Sequence, residues 1–250
     1  MPIKYLRELT APERTHRTNF HLGVSLAFVA GATNAGGFLA IGQYTSHMTG
    51  MVSGMADFLA LGNFDFVLMA FEAILSFLVG AATSAILIHW ARRRNSRSEY
   101  ALPLMIEAAL LLVFGLIGGP LTGKSITDEL SLTLALLCFV MGLQNAMITK
   151  VSNAEIRTTH VTGLMTDIGI ELGKLLYWNN ASQPTSHEKV LVNWRRLRIH
   201  VTLVMAFFVG AVVGALGFKH VGYASTVPLA LMLATMAAAQ FVPAGTRWAR

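Results

Sequence analysis

Six runs of about 20 apolar residues constrain this chain more than any other feature, because about 20 helical residues are what a hydrocarbon core about 30 Å thick requires. The runs are His21–Ile41, Phe66–Trp90, Leu102–Gly119, Leu130–Thr149, Ile199–Phe218 and Val227–Val242. The last is short and has room to begin nearer Tyr223. Backbone amides cannot be left unpaired in lipid, so a chain built from such runs is expected to be all-helical.

Composition agrees and excludes other classes. Of 250 residues, 54% are hydrophobic and only 13% charged, about half the charge of an ordinary soluble domain. Disorder is excluded by that apolar content. A disulfide scaffold is excluded by the single cysteine, Cys138. The net charge of +6 does not point to nucleic acid, since the basic residues gather at the ends of the apolar runs, where they act as orientation signals. The first run follows Lys4, Arg7, Arg14 and Arg17, is longer than a signal-peptide core and lacks a small-residue cleavage site, so it is expected to be retained.

Two further segments, Thr45–Gly62 and Thr158–Leu176, are helix-like but rich in Gly, Thr, Ser and Asp. Charge placement decides whether they cross. With six crossings and the N-terminus inside, only Lys124 and Lys219 of the 19 basic residues fall outside. With eight crossings, Arg92–Arg97, Lys150, Arg157 and Lys219 move outside. Six crossings therefore fit better, and the two segments become re-entrant or surface-lying helices.

The chain also repeats itself. Phe28-Val29-Ala30-Gly31-Ala32-Thr33-Asn34-Ala35 matches Phe139-Val140-Met141-Gly142-Leu143-Gln144-Asn145-Ala146 at Phe, Val, Gly, Asn and Ala. Thr45-Ser46-His47-Met48-Thr49-Gly50 matches Thr158-Thr159-His160-Val161-Thr162-Gly163, Phe77–Ala81 matches Phe207–Ala211, and Leu102–Leu104 matches Val227–Leu229. Four matches in one order indicate a duplication. Three crossings per half is an odd number, so the second copy enters the membrane from the opposite side. The expected layout is a basic cytoplasmic N-terminus (1–19), a first membrane repeat (20–119), an external loop (120–129), a second repeat (130–243) and a cytoplasmic tail (244–250).

These motifs, Ala30–Gly37 with Thr45–Gly50 and Gly142–Ala146 with Thr159–Gly163, resemble the YoaK-type family of bacterial integral membrane proteins over residues 20–243. The resemblance implies a multi-pass, permease-like protein of the bacterial inner membrane with no established substrate.

Transporters of inverted repeats place their sites where the halves meet, often at the ends of interrupted helices. Here that pointer falls on the two Thr-x-His-x-Thr-Gly segments. In the first, Met48, Met51, Val52, Met55 and Leu59 follow helical spacing, while His47, Gly50, Gly54 and Asp57 share another face. In the second, His160, Gly163, Asp167 and Glu171 do so. His160 and Asp167 are about 10 Å apart along such a helix, too far to pair. Thr45, Ser46, Thr158 and Thr159 are expected to cap these helices, placing each histidine at a positive dipole end that attracts anions. The competing structural explanation is capping, close packing at Gly and a hydrogen-bonding niche for each His. Asn34 and Asn145 set an amide within the first crossing of each half, and Thr33–Gly37 is expected to loosen or break the first helix.

Glu72 and Glu107 lie in apolar runs where the other half has Thr202 and Met232. A carboxylate at membrane depth points to ion or proton coupling, against which stands a side chain reaching for the interface. Gly80-x-x-x-Ser84 and Gly210-x-x-x-Gly214 serve close packing within the bundle or between subunits of a homo-oligomer. Neither a metal centre nor a cofactor is expected, as there is no Cys cluster, paired His-x-x-x-His or phosphate-cradling loop.

The sequence is thus read as a transporter or channel for a small polar or anionic solute. His47, His160, Thr45, Thr49, Thr158, Thr162, Asn34 and Asn145 are expected to bind the solute, and Asp57, Asp167, Glu171, Glu107 and Glu72 to couple ions. The alternatives are an intramembrane enzyme using His and carboxylate groups, which lacks any Gly-x-Ser-x-Gly or His-Glu-x-x-His, and a structural or regulatory membrane protein without flux.

Overall fold

Each apolar run satisfies its own backbone by coiling into a helix. The computed structural model describes residues 16–94, 99–117, 126–152, 156–177 and 190–238. The helices are α1 (His16–Ile41), α2 (Met48–Ala60), α3 (Phe64–Arg93), α4 (Ala101–Ile117), α5 (Ile126–Val151), α6 (Val161–Leu176), α7 (Trp194–Val221) and α8 (Thr226–Ala238). A 3-10 turn, Gly222–Ser225, joins the last two, and it is opened by Gly222 at φ 68°, a left-handed conformation that glycine alone adopts without strain. Four stretches are long and apolar enough to cross a membrane: His16–Ile41, Phe64–Arg93, Leu132–Val151 and the joined Trp194–Ala238. Ala101–Leu116 is apolar but shorter. The two Gly/Thr-rich segments form the short helices α2 and α6. The expected ends at residues 118–119 and 239–243 lie outside the described residues.

The helices pair crosswise between the halves of the chain. α1 packs along α7, α5 along α3, and α4 along α8. Glycine makes the first two pairings close. A Cβ at Gly31 would collide with the Phe207 carbonyl and one at Gly210 with the Phe28 carbonyl; equally, Gly142 lies against the Phe77 carbonyl and Gly80 against that of Phe139. The paired Phe and Gly motifs read from the sequence are therefore the contact points themselves. Gly214 and Ser84, four residues on, continue both seams, Gly214 against Ala32 and Ser84 fully buried. Both small-residue motifs are thus used within the bundle.

α1 and α5 form the centre, with 61% and 56% of their apolar windows enclosed, against 17% for both α3 and the α7–α8 stretch. Leu22, Leu26, Leu137, Met141, Met147 and Leu203 fill the core between them. Leu75, Leu78, Phe208 and Val212 stay exposed on α3 and α7, apolar surface that suits a lipid boundary.

The expected break in α1 is not observed: the helix is continuous through Thr33–Gly37. Its glycines serve packing instead. Gly36 admits the Phe218 ring, and Gly37 lies against Leu137 and Thr45.

Candidate functional site

Two asparagines on the central helices hold the two histidine segments in place. Asn34 on α1 accepts hydrogen bonds through Oδ1 from both the Ser46 backbone N–H and the Ser46 hydroxyl, each at 3.0 Å. Asn145 on α5 accepts one from the Thr159 hydroxyl at 2.6 Å and donates through Nδ2 to the Met141 carbonyl at 2.8 Å. Ser46 and Thr159 are equivalent in the duplication, so the same device appears twice.

This arrangement corrects the expected capping. The N-cap residues of α2 and α6 are His47 and His160 themselves, and neither side chain makes a capping bond. Ser46 and Thr159 are held by the asparagines. Thr45 and Thr158 are fully buried, and their hydroxyls bond no group among the described residues. The first turns of α2 and α6 therefore keep N–H groups open at the positive ends of their dipoles. Glycine one turn on has a local purpose: the His47 ring folds over Gly50 and the His160 ring over Gly163, leaving no space for a Cβ at either.

Both histidine segments line one cavity of about 680 Å³. From the first half come Asn34, Tyr44, Ser46, His47, Met48, Thr49 and Phe77. From the second come their counterparts Asn145, Arg157, Thr159, His160, Val161, Thr162 and Phe207, with Thr149 added. The walls carry amides, hydroxyls, imidazoles and the Arg157 guanidinium among apolar side chains, Phe77 and Phe207 included. Such a lining offers donors and acceptors to a solute without a fixed negative charge. Behind it lie further buried polar atoms with no hydrogen-bond partner among the described residues, Thr33 Oγ1 and Gln144 Oε1, again equivalent positions. Gln144 spends its amide N–H on the Leu26 carbonyl at 3.1 Å.

Of the residues expected to bind solute, His47, His160, Thr49, Thr162, Asn34 and Asn145 come together here, while Thr45 and Thr158 are buried outside the lining. None of the five expected coupling carboxylates lines this cavity. Asp57 is exposed on α2 and Glu72 partly buried on α3. Asp167 lies in a neighbouring cavity, 3.6 Å from Arg196 and 3.7 Å from His200 Nδ1. Glu171 accepts from Lys174 Nζ at 2.8 Å and from the Asn193 N–H at 2.8 Å, and the Lys174 contact foremost, then that N–H, holds its carboxyl below the usual range. That fastens α6 to the start of α7. Glu107 is fully buried in α4, and neither oxygen bonds any described residue.

Phe77 and Phe207 were not among the expected site residues, although their place in the matched motifs marked them. Tyr44 and Arg157 stand immediately before the paired Thr45 and Thr158, a position whose two occupants differ too much to show as a match.

One family model, described as a protein of unknown function (DUF1275), matches residues 22–239. No curated protein and no solved structure matches the chain.

Proposed function

The chain belongs to that family, and from this premise we propose that it carries a small polar or anionic solute across a bilayer, as six crossings in two inverted three-helix repeats. The single observation that carries the reading is the shared cavity, whose lining from one half is answered residue by residue from the other. A structural role for one histidine segment asks for no second copy facing it. Crosswise packing of α1 with α7 and α5 with α3 supports the repeat relationship, and the placement of basic residues supports cytoplasmic termini in a bacterial inner membrane. The YoaK-type resemblance belongs to the same proposal.

In this reading His47 and His160 contact the solute, Thr49 and Thr162 supply hydroxyls, and Asn34 and Asn145 set the segments that carry them. Open N–H groups of α2 and α6 favour an anion. The enzyme reading finds less support. Asp167 lies 3.7 Å from His200 Nδ1, and neither lines the central cavity.

Flux of candidate solutes into sealed liposomes tests the proposal. Uptake that falls by an order of magnitude or more on H47A or H160A, in protein with unchanged helicity, is the expected result. An identified flux indifferent to both substitutions overturns the assignment.

A further inference from the structure

Beside the central cavity lies a second one of about 620 Å³, walled by the segment before α6, by α6 and by the start of α7. Arg157, Arg195 and Arg196 line it together with His160 and the buried His200, and Asp167 is the single carboxylate in the lining. We propose that this cavity binds a tetrahedral oxyanion of the phosphate class, free or as an ester.

The argument is electrostatic. Three guanidinium groups face one lining carboxylate, Asp167, with the Lys174-paired Glu171 also within electrostatic reach of Arg196. The first turns of both α6 and α7 contain no acidic residue, so two positive dipole ends add to the same sign. Arg195 and Arg196 sit at the end of α7 where cations are least favoured. The three arginines are exposed, and their excess positive charge sets up a field that attracts a multiply charged anion. Guanidinium suits the task because its planar fork pairs two N–H groups with two oxygens of one phosphate.

The duplication sharpens this. Asn63 and Asn193 are the N-cap residues of α3 and α7 and stand equally far before Gly80 and Gly210. By that register the first half has Asp65 and Phe66 where the second has Arg195 and Arg196, and Ala70 in place of His200. Tyr44 and Gly54 replace Arg157 and Asp167. The arginine set thus occurs in one copy of the repeat and not at the matching positions of the other, so the repeat's fold does not require it. Membrane orientation asks only for positive charge near helix ends. It does not ask for arginines from two separate segments to converge on one hollow over a buried histidine.

The test needs no flux. Protein purified in nonionic detergent, with chloride as the only small anion, is titrated with inorganic phosphate at constant ionic strength while its melting is followed. A parallel arm compares bilayer discs of phosphatidylcholine and phosphatidylglycerol. A saturable rise in Tm with phosphate, weakened about tenfold in R157Q and R196Q, identifies a free oxyanion as ligand. A rise confined to phosphatidylglycerol and lost in the same variants identifies a lipid headgroup. D167N, which removes the competing carboxylate, is expected to bind severalfold more tightly, a gain that a misfolded variant cannot mimic. No stabilisation in either arm, or one that survives the arginine substitutions, overturns the proposal. Phosphate binding without any flux would sink the transport reading alone, and flux without anion binding would sink this one alone.

Discussion

The Thr159 hydroxyl lies 2.6 Å from Asn145 Oδ1, joining the loop before α6 to the last third of α5, one of the two central helices. Ser46 repeats the bond to Asn34. Removing an acceptor strands its donors, which costs about 1–3 kcal/mol for a buried group. N34A is expected to destabilise by that amount. In a cycle with S46A the two effects should be less than additive, because S46A deletes the hydroxyl bond, one of the two that N34A deletes. Melting of the two single variants and the double variant in detergent decides it; full additivity shows that the bond does not hold the loop.

Thr45 and Thr158 bury hydroxyls that bond nothing among the described residues. Valine has the same shape without the unsatisfied group. T45V and T158V should leave stability unchanged or raise it by about 1 kcal/mol. A loss of stability would reveal a hydrogen-bonded water or ligand at that hydroxyl, and paired melting curves with and without candidate solutes separate the two.

Close contact with a backbone carbonyl leaves no freedom at Gly31 or Gly142. G31A and G142A are each expected to cost about 1–3 kcal/mol, as overpacking of a filled interior does. Gly169 on α6 has nothing near its absent Cβ, so G169A should be neutral or stabilising by up to about 1 kcal/mol. The ordering of the three in thermal melts is the check.

Glu107 is a carboxyl enclosed in α4 without a bonded partner, opposite in the duplication to Met232. Exchanging such a group for an apolar one of similar volume commonly stabilises, here by about 1–4 kcal/mol for E107M. If the variant melts higher yet loses flux, the carboxyl serves transport at the expense of stability; if it melts lower, the buried carboxyl has a bonding role.

Glu171 should give the protein an acid-sensitive element. Its carboxyl is held below the ordinary value of 4.5 by Lys174 and the Asn193 N–H. The folded form binds a proton less readily than the unfolded one, so the stabilisation is complete above that value and disappears as pH falls through the lower folded one. Wild type should therefore lose Tm below about pH 4.5 more steeply than E171Q. Parallel slopes would remove Glu171 from the account.

Helices were legible because a long apolar run pairs its backbone best within itself, and where the flanking residues are described the helix ends fall within a few residues of where apolar character stops. The repeated motifs marked the seams, since a glycine that must touch a carbonyl tolerates no other residue. The histidines and asparagines were legible as a set but their division of labour was not. Whether a threonine caps its own helix or bonds a neighbour depends on what lies across from it, and Asn34 is distant from Ser46 until α1 and α2 are placed. The arginine cavity was hidden for the same reason: Arg157 and Arg196 look like ordinary flanking charge until α6 and α7 bring them together.

Crosswise pairing also sets a schedule for synthesis. Phe28 finds its glycine only when Gly210 has been made, and Phe77 waits for Gly142. The N-terminal half is thus made while its main packing partners are still untranslated, and its first helix stays without its close-fitting neighbour until nearly the end of the chain has emerged. Contacts between segments so far apart in sequence form late and slowly. Assembly of this protein is therefore governed by its last helices: a chain halted before α7 has both partners of the α3–α5 seam, while the Gly31 face of α1 still lacks the helix that fills it.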